Sequence, residues 1–334
     1  MLLKKYLTPE LEAELNDRVT PNGVTLDLVT KSGRENDDAS IGVYAGDAES
    51  YQEEFFGPLL RQVIAEYHKF GEGDRHVSDL DPAHLGEMPN LDPEGNLILS
   101  TRIRVARNVA GYPFTPAISA EDRLKLEGMM IQAFESLEGD LAGTYHSLVG
   151  MDEETRKRLV EEHLLFRDDD SHVRSAGIYR DWPEGRGVFL SEDRKFGVWV
   201  SEEDMRIFSL EQGADIYSVF DRLVRGLRAI EALVPFAKDD RYGYLTSCPT
   251  NLGTAMRASV MIRLPKISKD EKAFKEMCTS MGLQARGMHG EHSESGEGGI
   301  YDVSNRQRLG ATETELIKKL YDGVAKLIEL EKAA

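Results

Sequence analysis

Two cysteines in 334 residues, Cys248 and Cys278, are too few for a disulfide framework. Basic residues are scarce as well: 41 Lys and Arg stand against 59 Asp and Glu, a formal net charge of -18 at pH 7. Long-range repulsion therefore argues against nucleic acid or an anionic membrane as a partner, and any bound anion must be held by local basic clusters. No apolar run reaches the roughly 18 residues that span a bilayer. The opening Met1-Leu2-Leu3-Lys4-Lys5-Tyr6 runs into the charged Pro9-Glu10-Leu11-Glu12 with no apolar leader, so a reducing cytoplasm is the expected address. The ordinary phosphate cradles are missing too: there is no G-x-x-x-x-G-K-[ST] loop, no protein-kinase catalytic-loop signature and no convincing G-x-G-x-x-G.

With 40% hydrophobic content the chain can bury a sizeable core, in one large domain or two unequal ones. Residues 1–75 read as a small all-helical domain, with helical spacing over Pro9 to Val19 and Ala48 to Phe70. Residues 76–96 are rich in Gly, Pro, Asp and His without a period and read as a linker. His68, His76 and His84 fall in or beside it, at spacings that match no usual metal-ligand pattern. Residues 97–334 mix strand and helix signals. Leu97 to Val105, Phe196 to Val200 and Ala258 to Leu264 alternate as half-buried strands; Glu121 to Leu137, Asp152 to Leu165, Ile216 to Leu233, Lys269 to Met281 and Thr312 to Glu331 carry the helical period. Grouped strands and helices fit an α+β domain better than a regular βαβ repeat.

One thiol stands in polar company, in Ser247-Cys248-Pro249-Thr250-Asn251-Leu252-Gly253-Thr254-Ala255-Met256-Arg257. Cys248 is read either as a buried packing residue or as a reactive thiol stabilised by nearby donors and cations. Pro249 fixes one backbone angle, and Gly253 permits close approach of backbone to a ligand. Arg102 and Arg104, two apart in a predicted strand, project to one face, where they either meet solvent or grip neighbouring phosphate oxygens. Arg206 after a strand end, Arg257 after the thiol turn and Arg286 at the head of a Gly-rich run favour the second reading, with a nucleotide triphosphate as the anion. Glu202-Glu203-Asp204 and Glu291 are either solvated acids or the carboxylates that pair with a planar cation such as guanidinium. His289 and His292 form H-x-x-H, but the flanking glycines suit a loop better than a rigid metal site.

Taken together these motifs resemble the phosphagen (guanidino) kinase family, most closely its arginine-specific members. The resemblance runs from Gly42-Val43-Tyr44-Ala45-Gly46-Asp47-Ala48-Glu49 through Ser100-Thr101-Arg102-Ile103-Arg104, Gly111-Tyr112-Pro113-Phe114, Trp182-Pro183-Glu184-Gly185-Arg186-Gly187 and the Cys248 turn to Tyr301-Asp302. It implies a small helical amino-terminal domain, and a larger domain in which helices flank an antiparallel sheet. It also implies reversible transfer of the terminal phosphoryl group of MgATP to the guanidino group of free L-arginine, giving phosphoarginine and ADP for energy buffering. By position, Ser100, Arg102, Arg104, Arg206, Arg257, Arg286 and Asp302 would contact the nucleotide. Glu203, Cys248 and Glu291 would be catalytic and orient the guanidinium, and Ser40, Ile41, Gly42 and Tyr44 would receive the amino-acid end. Mg²⁺ would be held mainly by nucleotide and water, and a monomer or homodimer is expected. A kinase acting on arginine side chains of proteins, or a non-catalytic nucleotide or arginine sensor, are the alternatives.

The chain departs from the family pattern at several points. Only Met205 stands between Asp204 and Arg206, where the family has His-Leu. Alignment by the preceding strand keeps Glu203 as the substrate carboxylate; counting back from Arg206 gives Glu202. Leu190 and Met261 replace two histidines near the nucleotide, and the loop before Asp302 is one residue longer.

Overall fold

Short polar side chains start the helices: Thr8, Thr25, Ser119, Asp152, Asp215, Asp270 and Thr312 each accept a backbone N–H from three residues on. The protein is described by a computed structural model over residues 1–287 and 297–334. Four helices come first: α1 (Leu2–Tyr6), α2 (Pro9–Leu15), α3 (Leu26–Glu35) and α4 (Gly57–His68). Then follow β1 (Ile98–Arg107), α5 (Ala120–Glu135), β2 (Gly143–Ser147), α6 (Glu153–Glu161), α7 (Ser171–Ser175), β3 (Gly187–Ser191), β4 (Phe196–Val200) and β5 (Met205–Gln212). The chain continues through α8 (Ile216–Glu231), a small hairpin of β6 (Lys238–Asp239) and β7 (Gly243–Tyr244), β8 (Met256–Arg263), α9 (Glu271–Ser280), β9 (Leu283–Arg286), β10 (Ile300–Asn305) and α10 (Glu313–Ala333).

Eight strands form one antiparallel sheet in the order β2-β3-β4-β5-β1-β8-β10-β9. Residues two apart on a strand share a face, and so do cross-strand partners. Ile103, Val105, Ile207, Ala258, Val260 and Val303 therefore line one side, where they join the main core. That side is covered by α8 and α10, with α5 over β2. The expected α+β fold, helices flanking an antiparallel sheet behind a helical amino-terminal region, is what the structure shows.

A second core forms among Leu15, Val29, Ile41, Phe56, Leu60 and Val63, and it takes in Phe114, Leu245, Leu252 and Leu309 from the larger part of the chain. The amino-terminal helices are thus built onto the segments that flank the thiol turn. Residues 76–96 are also tied down: Ser78 Oγ and the Asp79 N–H donate to the buried Glu313 carboxylate at the head of α10, and Tyr321 Oη donates to Pro89 O.

Two helical expectations need correction. Ala48 to Phe70 is not one helix, because a short turn at Glu49–Tyr51 precedes α4, and Gly57 lies so close to the Gln52 carbonyl that a Cβ there would fall 2.7 Å from its oxygen. Asp152 to Leu165 stops at Glu161; His163 turns left-handed at φ 57, and the N–H groups of Leu164 and Leu165 both return to Leu159 O.

Candidate active site

The second face of the sheet carries the cations. Arg104 of β1 lies directly opposite Arg257 of β8, Ala106 is opposite Arg206 of β5, and Ser100 is opposite Met261. Asp302 of β10 faces Met261 on one side and Arg286 of β9 on the other. By strand parity Ser100, Arg102, Arg104, Arg206, Arg257, Arg286 and Asp302 all share this face. Leu190 and Met261, the two histidine replacements, share it too, because Trp199 pairs with both Val188 and Arg206. Toward β3 and β4 the face becomes aromatic and aliphatic, with Trp199, Phe208, Leu164 and Leu190 packed together.

Several of these arginines have partners among the described residues. Arg102 donates to His163 O at 2.9 Å and lies over the Trp199 and Phe208 rings, 5.1 and 4.8 Å from their centroids. Arg206 donates to Glu202 at 2.6 Å, Arg257 to Asp302 at 2.7 Å and Arg286 to Gln284 at 3.1 Å. Arg104 has no carboxylate partner among the described residues. Burial, reinforced by Arg206, Arg257, Arg102 and Arg308, holds its guanidinium well below the ordinary arginine range. Burial likewise brings Arg102 and Arg308 down to about 10. A face whose cations repel one another gains most from a ligand that carries several negative charges at once.

Arg308 was missed in the sequence. It follows β10, and its Nη1 donates to Asn251 in the thiol turn. Only the basic pair Arg306 and Arg308 marked it, with no period and no motif. Gly253 also has a different use from the expected one. With φ at +91, its Cα lies so near residues 308–309 that a Cβ would fall 2.6 Å from Arg308 O; the close approach is to the chain's own backbone.

The carboxylate wall stands beside the cations. Glu203 is 3% exposed. It accepts from Asn108 Nδ2 at 2.6 Å, from the Ser247 N–H at 3.0 and 3.1 Å, and from Ser247 Oγ at 3.1 Å. Burial raises its pKa, while the Asn108 and Ser247 donors and the charge of Arg206 oppose the rise. Its neighbour Asp204 accepts the Val109 N–H at 2.8 Å, and burial pushes it up to about 7. Glu202, by contrast, is tied to Arg206. Cys248 Sγ lies 3.0 Å from Thr250 Oγ1. Burial pushes this thiol up in the protein alone, against the lowering effect of Thr250.

The amino-terminal region holds this wall in place. The Ala45 N–H donates to Ser247 O at 2.7 Å, Tyr51 Oη to Thr246 O at 2.6 Å, and His68 Nε2 to Pro249 O at 2.8 Å. Tyr44 packs against the small cluster of Val173, Ala176, Ile178 and Tyr179, and its phenol is pushed above the ordinary range by burial and by the charges of Cys248, Asp170, Glu202 and Glu203. Tyr44 directly precedes Ala45, whose N–H is bonded to the thiol turn. Ile41 and Gly42 are buried, Ile41 within the second core against which Cys248 also packs, and Ser40 is exposed with its carbonyl accepting the Leu2 N–H.

The His68 contact has a measurable consequence. Burial pushes this imidazole down to about 4 from 6.5, so it is neutral in the fold while the unfolded chain takes up a proton between those values. The unfolded state then binds more protons, and stability falls as pH drops from about 6.5 to 4, by at most about 3 kcal/mol. His68→Gln keeps a donor for Pro249 O and is expected to flatten that slope. Urea unfolding at several pH values checks it, and an unchanged slope would exclude the contribution.

Glu291, His289 and His292 lie outside the described residues. Among the described residues no group of three or more His, Cys, Asp or Glu side chains is arranged for a metal. His76 accepts from the Gly310 N–H and His84 bonds Asp79, so the linker histidines are engaged separately. No helix among the described residues is long and apolar enough to cross a membrane.

An antiparallel sheet with arginines on one face, beside a carboxylate and a thiol, suits a polyanionic ligand next to a basic one. Comparison with known proteins makes this specific: the ATP:guanido phosphotransferase N-terminal domain matches residues 1–65 and the C-terminal catalytic domain of the same family matches residues 125–334. The chain belongs to the ATP:guanido phosphotransferase family. It is 50% identical to a probable arginine kinase of Caenorhabditis elegans over all of this chain and 92% of that protein. It is 44% identical to an arginine kinase of Limulus polyphemus over 100% of this chain and 93% of that one. Among solved structures, lombricine kinase aligns with a TM-score of 0.92 at 35% identity, over 99% of this chain and 92% of its own. The duplicated taurocyamine kinase of Schistosoma mansoni aligns with a TM-score of 0.91 at 42% identity; there this chain spans 100% of itself and 46% of the longer protein.

Proposed function

We propose that the chain transfers the terminal phosphoryl group of MgATP to a guanidino nitrogen of free L-arginine, and runs the reverse reaction from phosphoarginine and ADP. The observation that carries this reading is the sheet register, which gathers Arg102, Arg104, Arg206, Arg257 and Arg286 on one face beside the Glu203–Cys248 wall. The arginines bind the phosphate oxygens, and the acceptor guanidinium lies against Glu203 and Cys248. In the forward step the nitrogen–phosphorus bond forms as the bond from phosphorus to the ADP oxygen breaks. The proton lost from nitrogen passes to Glu203 or to water, late and in concert, because guanidinium is a very weak acid. Little covalent help is needed, so alignment and charge neutralisation carry the rate. Mg²⁺ enters with the nucleotide, held by phosphate oxygens and water as this ion prefers, and supplies further neutralisation of phosphate charge.

Tyr44 supports arginine as the acceptor, since it stands next to Ala45, which bonds the thiol turn, in a short loop that suits a small free amino acid. A guanidinium against Sγ supplies the opposite charge that lowers the thiol's pKa. Cys248→Ser is therefore expected to cut turnover roughly 10- to 100-fold, the cost of weakening a contact to a charged group, with little change in melting temperature. Wild-type turnover in that variant would remove the thiol from the mechanism. The function itself is tested by an assay coupled to ADP release with free arginine, creatine, taurocyamine, lombricine and an arginine-rich protein. Arginine should give the highest kcat/KM; no turnover with any guanidino acceptor would overturn the reading, and selective turnover of the protein substrate would replace it with protein-arginine phosphorylation.

A further inference from the structure

Asn108 follows the last residue of β1 and is fully buried. Its amide is used at both ends. Nδ2 donates to Glu203 Oε2 at 2.6 Å and to Leu245 O at 3.2 Å, while Oδ1 accepts the Asp204 N–H at 3.0 Å. Only one orientation of the amide serves this network, since a backbone N–H needs the oxygen and a carboxylate needs the NH₂. The Asn108 backbone carbonyl accepts the Ala237 N–H at 2.8 Å. One residue thus joins β1, the Glu203–Asp204 segment and the chain that leads to the thiol turn.

β1 also carries Arg102 and Arg104. We propose that Asn108 is a positioning residue that fixes the Glu203 carboxylate to the strand bearing the phosphate-binding arginines, so that a single buried amide sets the alignment of the two substrates. This rests on the function proposed above. In-line transfer is sensitive to small displacements of the reacting groups. Glu203 lies between β4 and β5, outside the strand ladder, and its side chain is held by Asn108 and Ser247. The charged and titratable groups that face it are Arg206 on β5, its neighbour Asp204, Cys248 in the turn, and Tyr44 and Tyr51 from the amino-terminal region. Of these only Arg206 is a permanent cation, so loss of the Asn108 donor shifts Glu203 further toward its protonated form.

Asn108→Asp is the sharpest test, because it has the same shape and keeps an acceptor for the Asp204 N–H but replaces the donor aimed at Glu203. With ATP and free arginine, kcat/KM for arginine is expected to fall roughly 10- to 100-fold, as for loss of a hydrogen bond to a charged group, with KM for ATP unchanged. The acidic limb of the rate profile should move to higher pH. Combined with Glu203→Gln, the Asn108 substitution should add little to the loss from Glu203→Gln alone, because both act on one interaction. The cycle is repeated with Asn108→Ser, whose melting temperature is checked beside that of the first variant. If the wild-type chain turns over no guanidino substrate, the proposed function fails and this inference fails with it. If the wild type is active and a folded Asn108 variant keeps its arginine kcat/KM and pH profile, or its effect adds fully to Glu203→Gln, only this inference is overturned. A fall in melting temperature with an unshifted pH profile also overturns it, since it shows a purely structural role.

Discussion

Arg104→Met should lower turnover by roughly 10³- to 10⁵-fold, the range for removing an arginine that neutralises a transferring phosphoryl group. The same variant should melt at a higher temperature than the wild-type protein when no nucleotide is present. Both effects come from one geometry. Arg104 sits at the centre of the cationic face, directly opposite Arg257, with Arg102, Arg206 and Arg308 all acting to drive its guanidinium toward the neutral form. Methionine keeps a stem of similar length, so the substitution removes mainly the charge and its desolvation cost. A ligand with several phosphates relieves that cost, and its stabilising effect should shrink in the variant. Steady-state kinetics and thermal melting with and without ADP measure the two sides. Turnover within 10-fold of wild type, or a lower melting temperature, would refute the account.

Glu203→Gln is expected to reduce kcat by roughly 10²- to 10⁴-fold, the contribution of a positioned acid–base group. Glutamine is close in shape, yet it cannot replace this carboxylate. Asn108 Nδ2, the Ser247 N–H and Ser247 Oγ all donate to Glu203, and an amide would turn an NH₂ group toward one of these donors. Some loss of stability should therefore accompany the loss of rate. Glu202→Gln is the matched control: Glu202 bonds Arg206 at 2.6 Å, on the phosphate side. Its removal should affect nucleotide KM more than arginine KM. A larger loss of arginine affinity from Glu202→Gln than from Glu203→Gln would reverse the assignment and favour the alignment counted back from Arg206.

The part of the site carried by regular structure was legible in the sequence. Alternation around Arg102 and Arg104 marked a strand with both arginines on one face, and β1 bears that out. The thiol turn stood out by composition. Of the large sheet, β2, β3, β5, β9 and β10 were not singled out; β2, Gly143–Ser147, has no apolar alternation to mark it, and β9 spans only four residues. Asn108 and Arg308 were invisible for a different reason. Asn108 stands out because residues 203, 204 and 245 all bond its amide, and Arg308 because it reaches back to Asn251. Such roles arise from contacts between distant segments, on which local patterns carry no information. The loop of residues 40–44 shows the same limit: its motif gave no sign that Ile41 belongs to the second core, against which Cys248 also packs.

The bond from the Ala45 N–H to Ser247 O joins that loop to the thiol turn through main-chain atoms only. A link of this kind is indifferent to side-chain identity. The half-buried Tyr44 side chain beside it can thus change while the loop stays docked to the turn that presents Cys248, whereas Ile41 in the second core and Gly42 at φ +79 have no such freedom. On the function proposed above, in which this loop receives the acceptor, recognition can diversify at that one position without rebuilding the machinery that moves the phosphoryl group.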